Sequence, residues 1–130
     1  MQNKFELVKA YLHEMDMPIV NEDAEQKLVV VEDEEKGIKN LILDCVEPIV
    51  VLEQVIMKVP SKPGDFFKRL LQMNRNLVHG AFVIDENAEV ILFRDTLQLE
   101  NLDRNELEAS IQALSLGLSE YGAELLEYAA

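Results

Sequence analysis

Phe5, Val8, Leu12 and Met15 recur at steps of three and four, with Leu7 and Tyr11 widening the stripe, so the chain opens on an amphipathic helix. Pro18 and the polar stretch from Asn21 to Gln26 end that helix. The pattern then changes to short apolar runs. Leu28 to Val31 is a β-branched run that predicts a strand, and the acidic turn Glu32 to Gly37 closes on a glycine, as hairpin turns do. Ile38 to Val46 predicts a second strand, broken by Glu47 and Pro48. Ile49 to Val59 predicts a third, in which Val50, Leu52 and Ile56 share a face because side chains alternate along a strand.

A second helix is expected from about Ser61, with Ser61 as N-cap, Pro63 in the first turn and Asp65 at the positive end of the dipole. Phe66, Leu70, Met73 and Leu77 form one stripe, Phe67, Leu71 and Val78 a neighbouring one, and Gly80 stops the helix. A hairpin follows, with strands at Ala81 to Ile84 and Glu89 to Leu97 around a turn over Asp85 to Ala88. The last helix carries the most regular pattern. Asp103 and Glu106 form a capping-box-like pair. Leu107, Ile111, Leu114, Leu118, Tyr121, Leu125 and Tyr128 then recur at alternating steps of four and three, a heptad seam. Such a seam either packs inside its own molecule or pairs with another helix. The predicted order is α-β-β-β-α-β-β-α. This is an α+β fold with a mostly antiparallel five-stranded sheet and the helices packed on it, in one domain spanning residues 1–130.

Charge narrows the partners. The formal net charge is −13, and from Glu86 to Ala130 ten acidic residues stand against Arg94 and Arg104. Nucleic acid and anionic lipid are bound through Lys and Arg, so this balance predicts repulsion from both. It serves either as a solvated surface or as an acidic face for a basic or amphipathic partner. No apolar run approaches the roughly 20 residues of a membrane span, and the start of the chain has no secretion-signal pattern. The expectation is a soluble, cytoplasmic protein of bacterial type. The single cysteine, Cys45, has no partner for an internal disulfide.

Catalytic patterns are not assembled in the sequence. The five glycines form neither a dinucleotide-binding nor a nucleotide-phosphate loop. His13, Cys45 and His79 fall on different elements, unlike the clustered ligands of a zinc site. The two histidines suit the ends of their helices, and Cys45 reads as a core thiol. No catalytic, cofactor-binding or metal-ligating residue is expected, and no cofactor. Three polar residues stand out as candidate partner contacts: Asn74, Arg94 and Asp95. Asn74 sits among apolar helix positions and either hydrogen-bonds a neighbouring backbone or lines a groove. Arg94 and Asp95 are adjacent on a strand and face opposite ways, so one of them needs a partner charge or the sheet edge.

The stretch LLQMNRNLVHGAFVIDENAEVILFRDTLQLENLDRNELEASIQALS, Leu70 to Ser115, resembles the second half of the YbjN family. It is also similar to class I type III secretion chaperones of the Tir-chaperone type. The features that carry the resemblance are Leu70-Leu71 and Asn74, Gly80 with Phe82, Asp85 in the hairpin turn, and Leu97, Leu99 and Leu102 before the capped last helix. It implies a type III secretion chaperone-like or YbjN-like domain: a homodimeric, non-catalytic binder of proteins or peptides, chaperone-like or regulatory. In that group a partner segment is held in extended form on apolar patches and by added strand pairing. The alternative is a structural or assembly component that pairs through its C-terminal amphipathic helix.

Overall fold

The computed structural model describes residues 3–129. Helix α1 (Lys4–Glu14) starts where the Asn3 side chain accepts hydrogen bonds from the amides of Phe5 and Glu6, at 3.1 and 3.3 Å. The strands are β1 (Ile19–Asp23), β2 (Leu28–Asp33), β3 (Ile38–Val46), β4 (Ile49–Lys58), β5 (Ala81–Ile84) and β6 (Val90–Gln98). Helix α2 (Phe66–Asn74) follows β4, and α3 (Arg104–Ala129) closes the described chain. The strand order is β1-β2-β3-β4-β6-β5, every neighbouring pair antiparallel.

The expected order of helices and strands therefore holds, with one correction: the sheet has six strands, not five. The polar stretch read as the end of α1 is an edge strand. Asn21, Glu22 and Asp23 pair with Val30, Val29 and Leu28. None of the five residues of β1 is buried, so hydrophobic alternation leaves no mark on it. It is held by its backbone ladder and by Lys9 of α1, whose ammonium lies 2.9 Å from Glu22.

Two local expectations also change. Helix α2 begins at Phe66 rather than near Ser61, because Gly64 stands at φ +53°, outside right-handed helical geometry, and Asp65 takes the N-cap position. It ends at Asn74, and Gly80 is not its stop. Gly80 leads into β5 with φ +73°, and a Cβ built on it would overlap the ring of Phe93.

All three helices cover one face of the sheet. Leu41, Leu43 and Cys45 of β3 point there with Val29, Val31, Val50, Leu52 and Phe93. Phe5, Val8 and Leu12 of α1 and Leu107, Ile111 and Leu114 of α3 complete that core. A second core joins Phe66, Leu70 and Met73 of α2 to Phe82, Ile91, Tyr121 and Leu125. The heptad seam of α3 thus packs against its own sheet and α2. Its start is the expected capping box: the Glu106 amide donates to Asp103 at 2.8 Å, and the Asp103 amide donates to Glu106 at 3.3 Å. Helices α2 and α3 are tied by a two-toothed ion pair, with the Arg69 Nη2 2.8 Å from Glu124 Oε1 and Nε bonding the other oxygen. No helix among the described residues is long and apolar enough to cross a membrane.

Gly80→Ala combines a left-handed backbone with an overlap on Phe93, and is expected to lower unfolding free energy by about 2–4 kcal/mol in urea titration. The Arg69 hydrogen bonds hold the Glu124 carboxyl below its ordinary value of 4.5. A carboxyl depressed by folding stabilises above its unfolded pKa and loses that contribution as pH falls through the folded one. Glu124→Gln should therefore flatten the loss of stability on acidification below 4.5, as read by urea midpoints across pH.

Candidate partner-binding surface

The opposite face of the sheet carries no helix. Register identifies its side chains. Ile42 pairs with Glu53, Asp44 with Val51 and Val46 with Ile49. In turn, Glu53 pairs with Arg94, Val51 with Thr96 and Val55 with Leu92. The outer rows therefore mix Ile42, Val46, Ile49, Val51, Val55 and Leu92 with a few polar groups. Val46 and Val55 are 51% and 59% exposed, unusual for β-branched residues in central strands. Strands β3 and β4 are thus apolar on both faces while only one is covered.

The two edges of this sheet differ. At β5 the Asn74 side chain acts as a substitute strand: the Phe82 amide donates to Asn74 Oδ1 at 2.7 Å, and Asn74 Nδ2 donates to the Phe82 carbonyl at 3.1 Å. Both outward groups of Phe82 are thereby satisfied. At the other edge β1 pairs only with β2, and its bulged Val20 is 52% exposed. That edge has no strand beyond it, and within β1 the Glu22 amide donates to the Asn21 side-chain oxygen at 2.8 Å.

The three candidate contacts are not brought together. Asn74 is engaged by Phe82 at the β5 edge. Arg94 lies on the open face and pairs with Glu53, its cross-strand neighbour. Asp95 points the other way, towards α3, where its Oδ2 accepts from the buried Ser110 hydroxyl at 2.6 Å and its Oδ1 from the Thr96 amide at 2.9 Å. The opposite orientations expected of Arg94 and Asp95 are present. The open-face residues Ile42, Val46 and Val55 escaped sequence reasoning. The signal for them was the unbroken run Leu41-Ile42-Leu43 and its counterpart Ile49 to Leu52, apolar at every position as in strands buried on both sides.

The remaining reactive groups are placed as follows. Burial, reinforced by Asp44 and Glu47, pushes the Cys45 thiol up to about 11, so it stays protonated at neutral pH and is a poor nucleophile. His13 is exposed in the last turn of α1 as expected, whereas His79 is exposed in the loop between α2 and β5 and not at a helix end, because α2 already stops at Asn74. Among the described residues no three His, Cys, Asp or Glu side chains are grouped to hold a metal ion.

Three helices on one face of a six-stranded antiparallel sheet form an α+β fold that matches those of solved type III secretion chaperones. The CesT_Tir_1 family model matches residues 1–130, and the chain belongs to that family. No curated protein matches the chain. Among solved structures, YbjN from E. coli is 12% identical, with a TM-score of 0.72 over 93% of this chain and 92% of that one. A chain from the structure of the Yersinia pestis type III secretion chaperone SycH, in complex with a stable fragment of YscM2, is also 12% identical. Its TM-score is 0.62 over 90% of this chain and 98% of that one. A chain of the HopA1–SchA chaperone–effector complex is 15% identical, with a TM-score of 0.63 over 88% and 91%. At such identities these likenesses establish the fold, which agrees with the resemblance seen between Leu70 and Ser115.

Asn74→Ala leaves the Phe82 amide and carbonyl without partners at a half-buried edge. It is expected to cost about 1–3 kcal/mol by urea unfolding, with Asn74→Asp intermediate because it keeps the acceptor and loses the donor.

Proposed function

We propose that the chain is a non-catalytic protein- or peptide-binding module, chaperone-like or regulatory, that works as a homodimer in the cytoplasm. The observation that carries this is the uncovered sheet face, where Ile42, Val46 and Val55 lie exposed, together with an edge strand that has no strand beyond it. An extended segment of a partner protein fits both features: apolar side chains on the open face, backbone hydrogen bonds at β1. Solved relatives of the same fold were captured with a partner protein, as in the chaperone–effector complex HopA1–SchA and in SycH with YscM2. Of the three candidate contacts, Arg94 is the one that would touch such a segment directly. Asn74 and Asp95 act behind it by closing the β5 edge and by fixing β6 to α3. The net charge of −13 argues against nucleic acid and anionic membrane as partners. The alternative, assembly through the C-terminal helix, loses its main support, because the heptad seam is covered within the molecule.

A photo-crosslinking residue placed at Val46 or Val55 in host cells should trap a partner protein, whereas one at the helix-covered side, such as exposed Glu14, should not. The double variant Val46→Asp/Val55→Asp should stay folded by circular dichroism and retain roughly a tenth or less of the trapped partner in co-purification. Equal recovery with the wild type and the double variant would overturn the open face as the binding surface.

A further inference from the structure

The ladder between β3 and β4 stops short of both strands. It runs from the pair Val46–Ile49 to the pair Ile42–Glu53 and no further, although β3 reaches back to Ile38 and β4 on to Lys58. Past Glu53 each strand keeps only its outer neighbour. Ile38 and Leu41 pair with β2, while Val55, Met57 and Lys58 pair with β6. The sheet therefore forks at its centre. Two irregularities open the fork: Asn40 stands at φ +54° on β3, and β4 bulges between Val55 and Met57. Such kinks bend a strand and interrupt its pairing. The buried Gln54 side chain braces the base of the fork in place of a ladder, accepting from the Lys39 amide and donating to the Gly37 carbonyl.

The fork passes through the sheet. A cavity of about 530 Å³ lies in it, lined by Ile42, Val55 and Leu92 of the open face and by Leu118 of α3 on the covered face. Leu118 packs against both cores, so the opening leads to the seam where they meet. Lys39 stands exposed on one lip and forms no ion pair among the described residues. On the other lip Glu53 is already matched by Arg94. From Val55 to Lys58, β4 is thus a strand edge inside the sheet, with an apolar floor beside it and one unmatched cation above.

We propose that this fork is the anchor point for an extended segment of the partner protein. The inference rests on the open-face reading of the proposed function and names the part of that face that selects the partner's sequence. The segment's backbone pairs with β4 beyond Glu53, where no strand of this chain does. One large unbranched or aromatic side chain, a Leu, Met or Phe, drops through the opening onto Leu118. Side chains alternate along a strand, so the residues on either side of this anchor rise to the open face. One of them rests on Val55 and Leu92. The other is a carboxylate that meets Lys39, the cation left unmatched at the lip. Desolvated apolar anchors in a pocket carry most of the energy of such contacts, and charges at the rim set the register. The recognition motif is thus a large apolar residue with an acidic residue directly beside it.

The test is selection of a displayed library of random dodecapeptides on the purified protein, followed by fluorescence anisotropy with a labelled peptide from the enriched pool. Enriched peptides should share Leu, Met or Phe next to Asp or Glu. Lys39→Glu should weaken the peptide at least about tenfold and leave circular dichroism unchanged, because Lys39 is exposed. The same peptide with its acidic residue changed to Lys should recover binding to that variant, which a merely structural effect would not produce. Reselection on Leu118→Ala, whose seat is deeper, should move the anchor from Leu to Phe. Peptides that carry no such motif, or that bind both variants as they bind the wild type, overturn the fork. If those peptides are instead lost with Val46→Asp, at the far end of the β3–β4 ladder, the open face stands without it. A library that enriches no peptide also overturns the fork, and the crosslinks from Val46 and Val55 in host cells then judge the open face separately.

Discussion

Nine residue pairs join β4 to β6, from Ile49 with Gln98 to Lys58 with Val90, and both cores hang on that ladder. The strands β1 to β4 with α1 are continuous in sequence, as are α2, β5, β6 and α3. The β4–β6 pairing is where the sheet passes from one part to the other. Phe93 of β6 packs into the core beneath α1, while Ile91, two residues earlier, packs into the core beneath α2. The bulge between Val55 and Met57 lies near this changeover. Buried Gln54 secures the same region from within: it accepts from the Lys39 amide at 3.0 Å and donates to the Gly37 carbonyl at 3.1 Å. The turn before β3 is thereby fixed to the centre of the sheet.

Elements whose formation rests on burial were legible in the sequence. The stripes of α1 and α3, the capping box at Asp103 and Glu106, and the limits of β3 all express a face that must leave water. Elements held by backbone pairing alone were not. Strand β1 has no buried side chain, so no period of hydrophobicity marks it. The start of α2 differs from the pattern because Pro63 suits a first helical turn, but Gly64 after it takes a left-handed φ of +53° and delays the helix to Phe66.

The binding surface was less legible than the fold for a related reason. Runs such as Leu41-Ile42-Leu43 state that both faces of a strand are apolar, but not which face its own helices will cover. That depends on register, and register here passes through Asn40 at φ +54°, which resets the alternation after Ile38. Asn74 was the polar residue singled out on α2, and its bonding to Phe82 follows one of the two roles open to it. Its partner is fixed only when α2 comes to lie along β5, a tertiary placement with no local signature.

The clamp of Asn74 on Phe82 has a consequence for how copies of this sheet can meet. A polymer grown strand by strand needs every subunit to present two free ends, one to give and one to receive. Here one end is already stoppered by a side chain of the same molecule. Two copies could join β1 to β1, after which both outer ends would be β5 and growth would cease. The fold can therefore keep one adhesive border without the hazard of fibre formation that an open sheet otherwise carries.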